Sequence, residues 1–279
     1  MFDGHVHIRP GKPTPNNLLS EMAEAGISGA IIISMPPDTG EAAERLMNLY
    51  EWTSGYEELV PFYWIDIKDQ DTVTQVEKAK KSGAVGLKII CDSFYPGDEK
   101  CLKVCETAAG LGMPVLFHSG ILWDGKPSSE YCRPVHFESL LSVKNLRFAL
   151  AHIGWPWIDE MIALYGKFQN FRTRNPESRT EMFIDTTPGT PGIYREEAIR
   201  KLLTVGYDIE DNIFFGSDCD VNAYNAAWVE DWVAIDREII MNLNVKDNVA
   251  AGIFTSNAER FIIGSEAGRE FRKLAPAGN

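Results

Sequence analysis

The sequence predicts an α/β protein that folds as a (β/α)8 TIM barrel. Eight short apolar segments recur at intervals of about 20–35 residues, and amphipathic segments of helical period lie between them. Most of the apolar segments are continuous rather than alternating, which is typical of parallel strands that are buried on both faces. Eight strands that alternate with helices through right-handed crossovers close into a barrel.

The first strand also argues against the main competing fold, a doubly wound open sheet. That fold usually carries a glycine-rich phosphate-binding turn after its first strand, whereas this chain has His-Val-His-Ile-Arg-Pro there.

The eight predicted strands are Phe2–His7, Ala30–Ser34, Pro61–Asp66, Ala84–Ile90, Val115–His118, Phe148–His152, Met182–Thr186 and Ile213–Asp218.

The predicted helices are the segments in which apolar residues recur every three or four positions. They are Leu18–Ala25, Glu41–Trp52, Asp71–Lys81, Leu102–Leu111, Phe137–Val143, Trp157–Phe168, Arg195–Val205 and Ala226–Asn242, with further helices at Lys246–Thr255 and Asn257–Ile263. We expect residues 1–264 to form a single barrel domain. Residues 265–279 are expected to form the end of a C-terminal helix and a tail.

Composition and charge limit the partners that the protein can have. A formal net charge of -13 and a pI near 4.9 argue against nucleic acid and anionic membranes, which both need a basic surface. The sequence contains no leader-like segment and no long apolar run, so we expect a cytoplasmic protein. Five cysteines without zinc-finger spacing indicate neither a disulfide framework nor a structural zinc site. A small-molecule substrate is expected, and a homo-oligomer stays open.

Four of the five histidines lie at the carboxyl ends of predicted strands. His5 and His7 end the first strand, His118 and His152 end two later strands, and Asp218 ends the last strand. Barrel enzymes keep their chemistry at the carboxyl ends of the strands, so these side chains are expected to meet at one mouth.

The types of these residues predict a metal site. His5 and His7 are two positions apart on a strand, so their imidazoles point to the same face. With His118 and Asp218 they offer three nitrogens and one oxygen, which suits zinc or another divalent first-row ion with an open position for water. His152 is either a ligand of a second metal or an uncoordinated general acid or base.

Six segments, in this order along the chain, resemble those of the amidohydrolase superfamily. The similarity is strongest to the amidohydrolase-related branch that includes aminocarboxymuconate semialdehyde decarboxylase. The segments are Asp-Gly-His-Val-His (3–7), Gly-Leu-Lys-Ile (86–89), Val-Leu-Phe-His-Ser-Gly (115–120), Phe-Ala-Leu-Ala-His-Ile-Gly (148–154), Phe-Gly-Ser-Asp (215–218) and Ser-Asn-Ala-Glu-Arg-Phe (256–261).

The resemblance implies roles for individual residues. It implies that His5, His7, His118 and Asp218 hold one divalent ion, with zinc the expected metal. It implies that His152 stays off the metal and moves protons, while Asp218 also serves as a base. Lys88 stands where binuclear relatives carry a carbamylated lysine that bridges two metals; we favour instead a contact between Lys88 and the substrate.

The expected reaction is hydrolysis of a small amide, lactone or cyclic amide by a metal-activated water. The alternative is non-oxidative decarboxylation of a small unsaturated or aromatic carboxylic acid on the same metal. Further candidates for substrate binding follow the first strand or lie near the long connection from Ser119 to Pro134, which is predicted to be a lid or a wall of the site. They are Arg9, Trp123, Arg133 and Trp155.

Overall fold

The computed structural model describes residues 1–11 and 14–264, and it confirms the α/β TIM-barrel fold class. Within these residues one parallel sheet contains nine strands in the spatial order β8-β7-β6-β5-β4-β3-β2-β1-β9. The strands are β1 Phe2–His7, β2 Gly29–Ile33, β3 Leu59–Trp64, β4 Gly86–Ile89, β5 Val115–Phe117, β6 Arg147–Leu150, β7 Glu181–Asp185, β8 Ile213–Phe214 and β9 Cys219–Asp220. The predicted tail, residues 265–279, lies outside the described residues.

Helices connect the strands as the amphipathic pattern predicts. They are α1 Pro15–Glu24, α2 Ala42–Thr53, α3 Thr72–Lys81, α4 Glu99–Gly110, α5 Ile158–Arg174, α6 Gly192–Thr204, α7 Ala226–Asn242, α8 Asp247–Ala251 and α9 Asn257–Ile263. Two segments differ from the prediction. The segment Pro134–Ser142 forms 3-10 turns, and α8 passes into a π-helical turn at Gly252–Ser256.

The predicted eighth strand, Ile213–Asp218, is interrupted, so the prediction of one continuous strand was wrong. Its first part, β8, pairs with β7, and β9 pairs with β1. Between them the chain still bonds to β1: Gly4 donates from its backbone N–H to the Phe215 carbonyl, and Asp218 donates to the His5 carbonyl, both at 2.9 Å. The broken strand thus continues the sheet to β1 while turning Asp218 out of the regular ladder.

The barrel interior is filled by aromatic rings from the strands and from α9, the last helix of the described residues. Phe261 of α9 packs against Phe62 of β3, Phe183 of β7 and Phe214 of β8, with ring centroids 6.1, 5.2 and 5.3 Å apart. All four rings are inaccessible to solvent. The C-terminal helix therefore completes the core. No helix among the described residues has the length and apolar character needed to cross a bilayer.

Candidate metal centre

A cavity of about 310 Å³ opens at the carboxyl ends of the strands. Its walls come from β1, β3 and β4 and from the segments that follow β5, β6, β7 and β8. The predicted metal ligands, proton donor and lysine all line it, namely His5, His7, Lys88, His118, His152 and Asp218. The barrel therefore brings these six residues from five separate parts of the chain to one cavity.

Three potential ligand atoms lie close together in this cavity. His5 Nε2 is 3.1 Å from His7 Nε2, and Asp218 Oδ1 is 3.6 and 3.4 Å from these two nitrogens. Atoms that bind a first-row divalent ion at roughly 2.0–2.2 Å are themselves about 2.8–3.6 Å apart, the shorter separations in octahedral and the longer ones in tetrahedral coordination. Within residues 1–11 and 14–264, this is the one cluster of three or more potential ligands whose atoms all lie within 4.8 Å of one another. Its donor set and spacing fit a single divalent ion.

The imidazoles are held in the neutral form that binds metal. Burial, with a further contribution from the nearby Lys88 charge, lowers the pKa of His5 well below its ordinary value. Burial likewise lowers the pKa of His7, although Asp218 opposes the effect. The pKa of His118 is also held well below its ordinary value, chiefly by burial. Neutral rings keep a lone pair free for a cation.

Asp218 is placed by the interruption of the eighth strand. Its backbone φ is +59°, a conformation that few residues other than glycine adopt. The turn is held by buried Asp3, whose carboxylate accepts hydrogen bonds from the backbone N–H groups of Ser217 at 2.9 Å and His5 at 3.1 Å. Burial acts to raise the pKa of Asp218, but the hydrogen bond with His7 and the surrounding histidines hold it well below its ordinary value. Its side chain, 37% exposed, is thus an ionised carboxylate at the mouth.

His118 lies in the same cavity but outside the close cluster. Its Nε2 donates a hydrogen bond to the Ile121 carbonyl at 3.1 Å. Since a carbonyl only accepts, this bond leaves Nδ1 of His118 as the nitrogen with a free lone pair. The His118 and His152 rings are neighbours, with centroids 4.7 Å apart.

His152 is held in an uncommon backbone conformation beside the cluster. Its φ is +62°, and its ring centroid is 5.6 Å from that of His5. Gly189 makes room for it, because a Cβ at Gly189 would lie 2.9 Å from the His152 Cβ. Nδ1 of His152 is buried and has no hydrogen-bond partner among the described residues. A buried polar atom without a partner, in a strained segment, is typical of a group that contacts a ligand.

Lys88 reaches the centre of the site from β4. Its side chain is 1% exposed, and its Nζ lies 3.2 Å from His5 Nε2. Burial lowers the pKa of Lys88 to about 8, against the opposing effect of Asp218 and Asp185. The amine is therefore close enough to the cluster to contact a substrate bound there.

Sequence reasoning missed Asp185, the last residue of β7. Its Oδ2 lies 2.6 Å from His5 Nδ1, and both side chains are fully buried. Burial raises the pKa of Asp185 to about 6, so the carboxylate is ionised at neutral pH. The same signal that singled out Asp218, an aspartate at the end of an apolar run, was present in Phe-Ile-Asp (183–185) and could have found it.

The predicted substrate-binding residues divide into two groups. Arg9, Trp123 and Trp155 line the cavity, and the Arg9 Nε donates to Asp220 at 3.0 Å, which holds the guanidinium at the rim. Arg133 does not line the cavity; it forms a double hydrogen bond with Glu160. Trp64, which the sequence did not single out, lines the cavity beside His7, with ring centroids 5.6 Å apart.

Comparison with known proteins agrees with this geometry. A family model described as amidohydrolase matches residues 7–262, which confirms the resemblance noted in the sequence. No curated protein sequence matches the chain.

Solved structures share the fold at low identity. A probable 2-pyrone-4,6-dicarboxylic acid hydrolase from Acinetobacter baumannii has a TM-score of 0.66 and 14% identity over 94% of this chain and 98% of that one. The manganese complex of 5-carboxyvanillate decarboxylase from Novosphingobium aromaticivorans has a TM-score of 0.61 and 14% identity over 88% and 79%. A zinc-bound amidohydrolase from Burkholderia multivorans has a TM-score of 0.63 and 10% identity over 94% and 98%.

These structures show the fold, and they include both hydrolases and a decarboxylase. The family model covers most of the chain, two of these solved structures contain manganese and zinc, and the cluster of His5, His7 and Asp218 suits a divalent ion. The chain is therefore a metal-dependent enzyme of the amidohydrolase superfamily.

Proposed function

We propose that the protein hydrolyses a small amide, lactone or cyclic amide with the help of one divalent ion. The observation that carries this proposal is the cluster of His5 Nε2, His7 Nε2 and Asp218 Oδ1 within one small cavity, with His152 beside it. A hydrolase that uses a metal-activated water needs a Lewis acid, a proton acceptor and a proton donor around one substrate bond. The cavity offers ligands for the ion and one residue for each proton transfer.

His5, His7 and Asp218 are the proposed ligands, with His118 as the fourth and zinc as the expected ion. When bound, such an ion supplies Lewis acidity toward a carbonyl oxygen and toward water. The lone pair of His118 Nδ1 is available for the fourth bond, because Nε2 is used by the Ile121 carbonyl. This ligand set stays a prediction until the metal content is measured.

Asp218 and His152 are the residues that we propose transfer protons during the reaction. Asp218 is ionised and faces the solvent of the mouth, so its carboxylate accepts the proton that the attacking water loses. The His152 ring lies beside His5, with ring centroids 5.6 Å apart, and has a buried nitrogen without a partner among the described residues. It is placed to deliver a proton to the departing nitrogen or oxygen of the substrate.

The remaining walls suit a small, flat substrate with an acidic group. Trp64 and Trp155 supply aromatic surface. Lys88 supplies positive charge deep in the cavity, and Arg9 supplies positive charge at its rim. A volume of about 310 Å³ lies at the lower end of the usual range for small-molecule sites.

Decarboxylation is the second candidate, because the same cations would hold a carboxylate beside the proposed metal ligands. In that reaction His152 would protonate the carbon that loses carbon dioxide. The similarity in fold to 5-carboxyvanillate decarboxylase supports keeping this alternative.

One experiment separates the two reactions. The metal-loaded enzyme is incubated with a panel of small lactones, cyclic amides and aromatic carboxylic acids in ¹⁸O-labelled water, and the products are analysed by mass spectrometry with separate detection of released carbon dioxide. Label in a new carboxylate supports hydrolysis, and release of carbon dioxide with no label in the organic product supports decarboxylation. Metal-independent turnover, or none on the whole panel, would contradict the proposal.

His152→Asn tests the proton donor. We expect the variant to keep its metal and to lose roughly 10²–10⁴-fold in turnover, the usual contribution of a positioned acid or base. His136→Asn is the matched control, since His136 pairs with Glu130 away from the cavity and its replacement should leave turnover unchanged. Loss of metal from His152→Asn would instead make His152 a ligand.

A further inference from the structure

We propose that Asp185, held by Thr187, is a positioning residue that fixes the tautomer and the direction of His5. This inference rests on the proposed metal site and adds an outer layer to it. Neither residue is among the ligands or proton carriers described above. Both lie on the segment that ends β7, on the side of His5 away from His7.

The contact between His5 and Asp185 is short and is buried from solvent. His5 Nδ1 lies 2.6 Å from Asp185 Oδ2, and neither side chain is exposed to solvent. An ionised carboxylate can only accept a hydrogen bond, so Nδ1 of His5 must carry the proton. Nε2 of His5 is then left with its lone pair, and Nε2 is the atom that faces His7 and Asp218.

Thr187 holds the second oxygen of the carboxylate. Its backbone N–H donates to Asp185 Oδ1 at 2.6 Å, and its hydroxyl donates to the same atom. A buried carboxylate that accepts several hydrogen bonds is fixed in direction as well as in charge. The carboxylate therefore cannot turn away from His5 without losing these bonds.

The backbone around this pair leaves little room for other arrangements. At Gly216, in the interrupted eighth strand, a Cβ would lie 2.7 Å from the Thr187 hydroxyl and 2.8 Å from the His5 Cβ. Glycine at this position lets the chain pass against both residues. The contact between His5 and Asp185 is thus built into the packing of β1, β7 and the eighth strand.

His5 differs in this respect from the other histidines of the cavity. Among the described residues, His7 Nδ1 and His152 Nδ1 have no hydrogen-bond partner, and His118 bonds to a backbone carbonyl. A carboxylate partner raises the basicity of a ligating imidazole, and such partners typically contribute a factor of about 10–100 to metal affinity. We therefore infer that, of the histidine nitrogens in this cavity, Nε2 of His5 is held most firmly in the direction of the metal site.

The test measures zinc affinity and the His5 tautomer in the full chain. Asp185→Asn keeps the shape of the side chain but removes its charge, and we expect zinc affinity, measured by competition with a chelator, to fall by about 10–100-fold. Thr187→Val should weaken binding less, and Thr187→Ser, which keeps the hydroxyl, should restore it. Glu130→Gln is the matched control, because it alters an exposed carboxylate bonded to His136 at 3.0 Å and should leave affinity unchanged.

The tautomer is read from ¹⁵N NMR of the histidine rings in the metal-free protein. We expect His5 to carry its proton on Nδ1 in the wild type and to populate both tautomers in Asp185→Asn. Zinc affinity of a folded Asp185→Asn within about threefold of wild type would overturn the inference, since the expected loss is at least tenfold. A wild-type His5 protonated on Nε2 would also overturn it. If the wild type binds no divalent ion, the proposed function fails, and the tautomer measurement alone decides this inference.

Discussion

At the scale of single residues, the site depends on neutral, oriented imidazoles beside one ionised carboxylate. Burial lowers the pKa of His5 and of His7, while Asp218 keeps its charge at the solvent-facing edge. Buried charges are costly unless they are paired or bind a metal. Two close nitrogens and a carboxylate therefore make a favourable place for a cation.

This arrangement predicts that the metal depends on His7. His7→Ala removes one of the three clustered ligands, so we expect its metal affinity to fall by more than about 100-fold, beyond the loss typical of an outer partner. Elemental analysis of the purified protein measures the effect, with His136→Ala as the control. Full metal content in both His7→Ala and His5→Ala would contradict the proposed site.

At the scale of elements, an ion cluster around the buried carboxylate of Glu181 ties two helices and a neighbouring strand to β7. Glu181, the first residue of β7, forms an ion pair with Arg147 of β6 at 3.1 Å and accepts hydrogen bonds from Arg172 of α5 at 3.0 Å and from Arg260 of α9 at 2.8 Å. The glutamate side chain is 7% exposed. Removal of this carboxylate leaves three guanidinium groups without their common partner.

Glu181→Gln is expected to lower the free energy of unfolding by about 1.5–3 kcal/mol at pH 7, the range for hydrogen bonds to charged groups. Burial acts to raise the pKa of Glu181, but the three arginines hold it below its ordinary value of 4.5. The stabilisation is therefore complete above pH 4.5 and is lost as the pH falls through the lowered folded-state pKa.

Urea unfolding at pH 7 and at pH values below 4.5 measures this effect. The difference between wild type and Glu181→Gln should shrink as the pH falls. Glu196→Gln is the control, because Glu196 and its partner Arg200 are exposed, and such pairs contribute about 0–1 kcal/mol. A difference that stays constant with pH would show that the charge of Glu181 is not the cause.

At the scale of the whole molecule, the barrel joins distant segments through its closure and its core. The interrupted eighth strand bonds to β1 on one side and β7 on the other. Phe261 of α9 contacts rings from three strands inside the barrel. The C-terminal helix is therefore part of the same cooperative unit as the first strand.

Phe261→Ala tests whether α9 and the strands unfold as one cooperative unit. The substitution leaves a cavity among Phe62, Phe183 and Phe214, so we expect a loss of about 3–5 kcal/mol in the free energy of unfolding. Ile193→Ala is the control, because Ile193 is 84% exposed, and its replacement should change stability by less than about 0.5 kcal/mol. Chemical denaturation followed by circular dichroism and by fluorescence should give one coincident transition for each variant. Separate transitions would contradict a single cooperative unit.

The sequence alone was enough to predict the fold class and which residues meet at the site. Parallel strands buried on both faces appear as continuous apolar runs, and the barrel places their carboxyl ends on one side. The positions of His5, His7, His118, His152 and Asp218 at or just after those ends therefore predicted a common cavity without any knowledge of contacts.

The way in which those side chains are held depends on tertiary contacts that the sequence pattern does not reveal. The contact of His5 with Asp185 joins positions 180 residues apart, and the break that turns Asp218 outward depends on hydrogen bonds from two backbone segments to Asp3. The pairing of Arg133 with Glu160, which keeps Arg133 out of the cavity lining, is likewise a contact between separate elements. Local periodicity reports which face of an element is buried, but such pairings depend on distances that exist only after the barrel has closed.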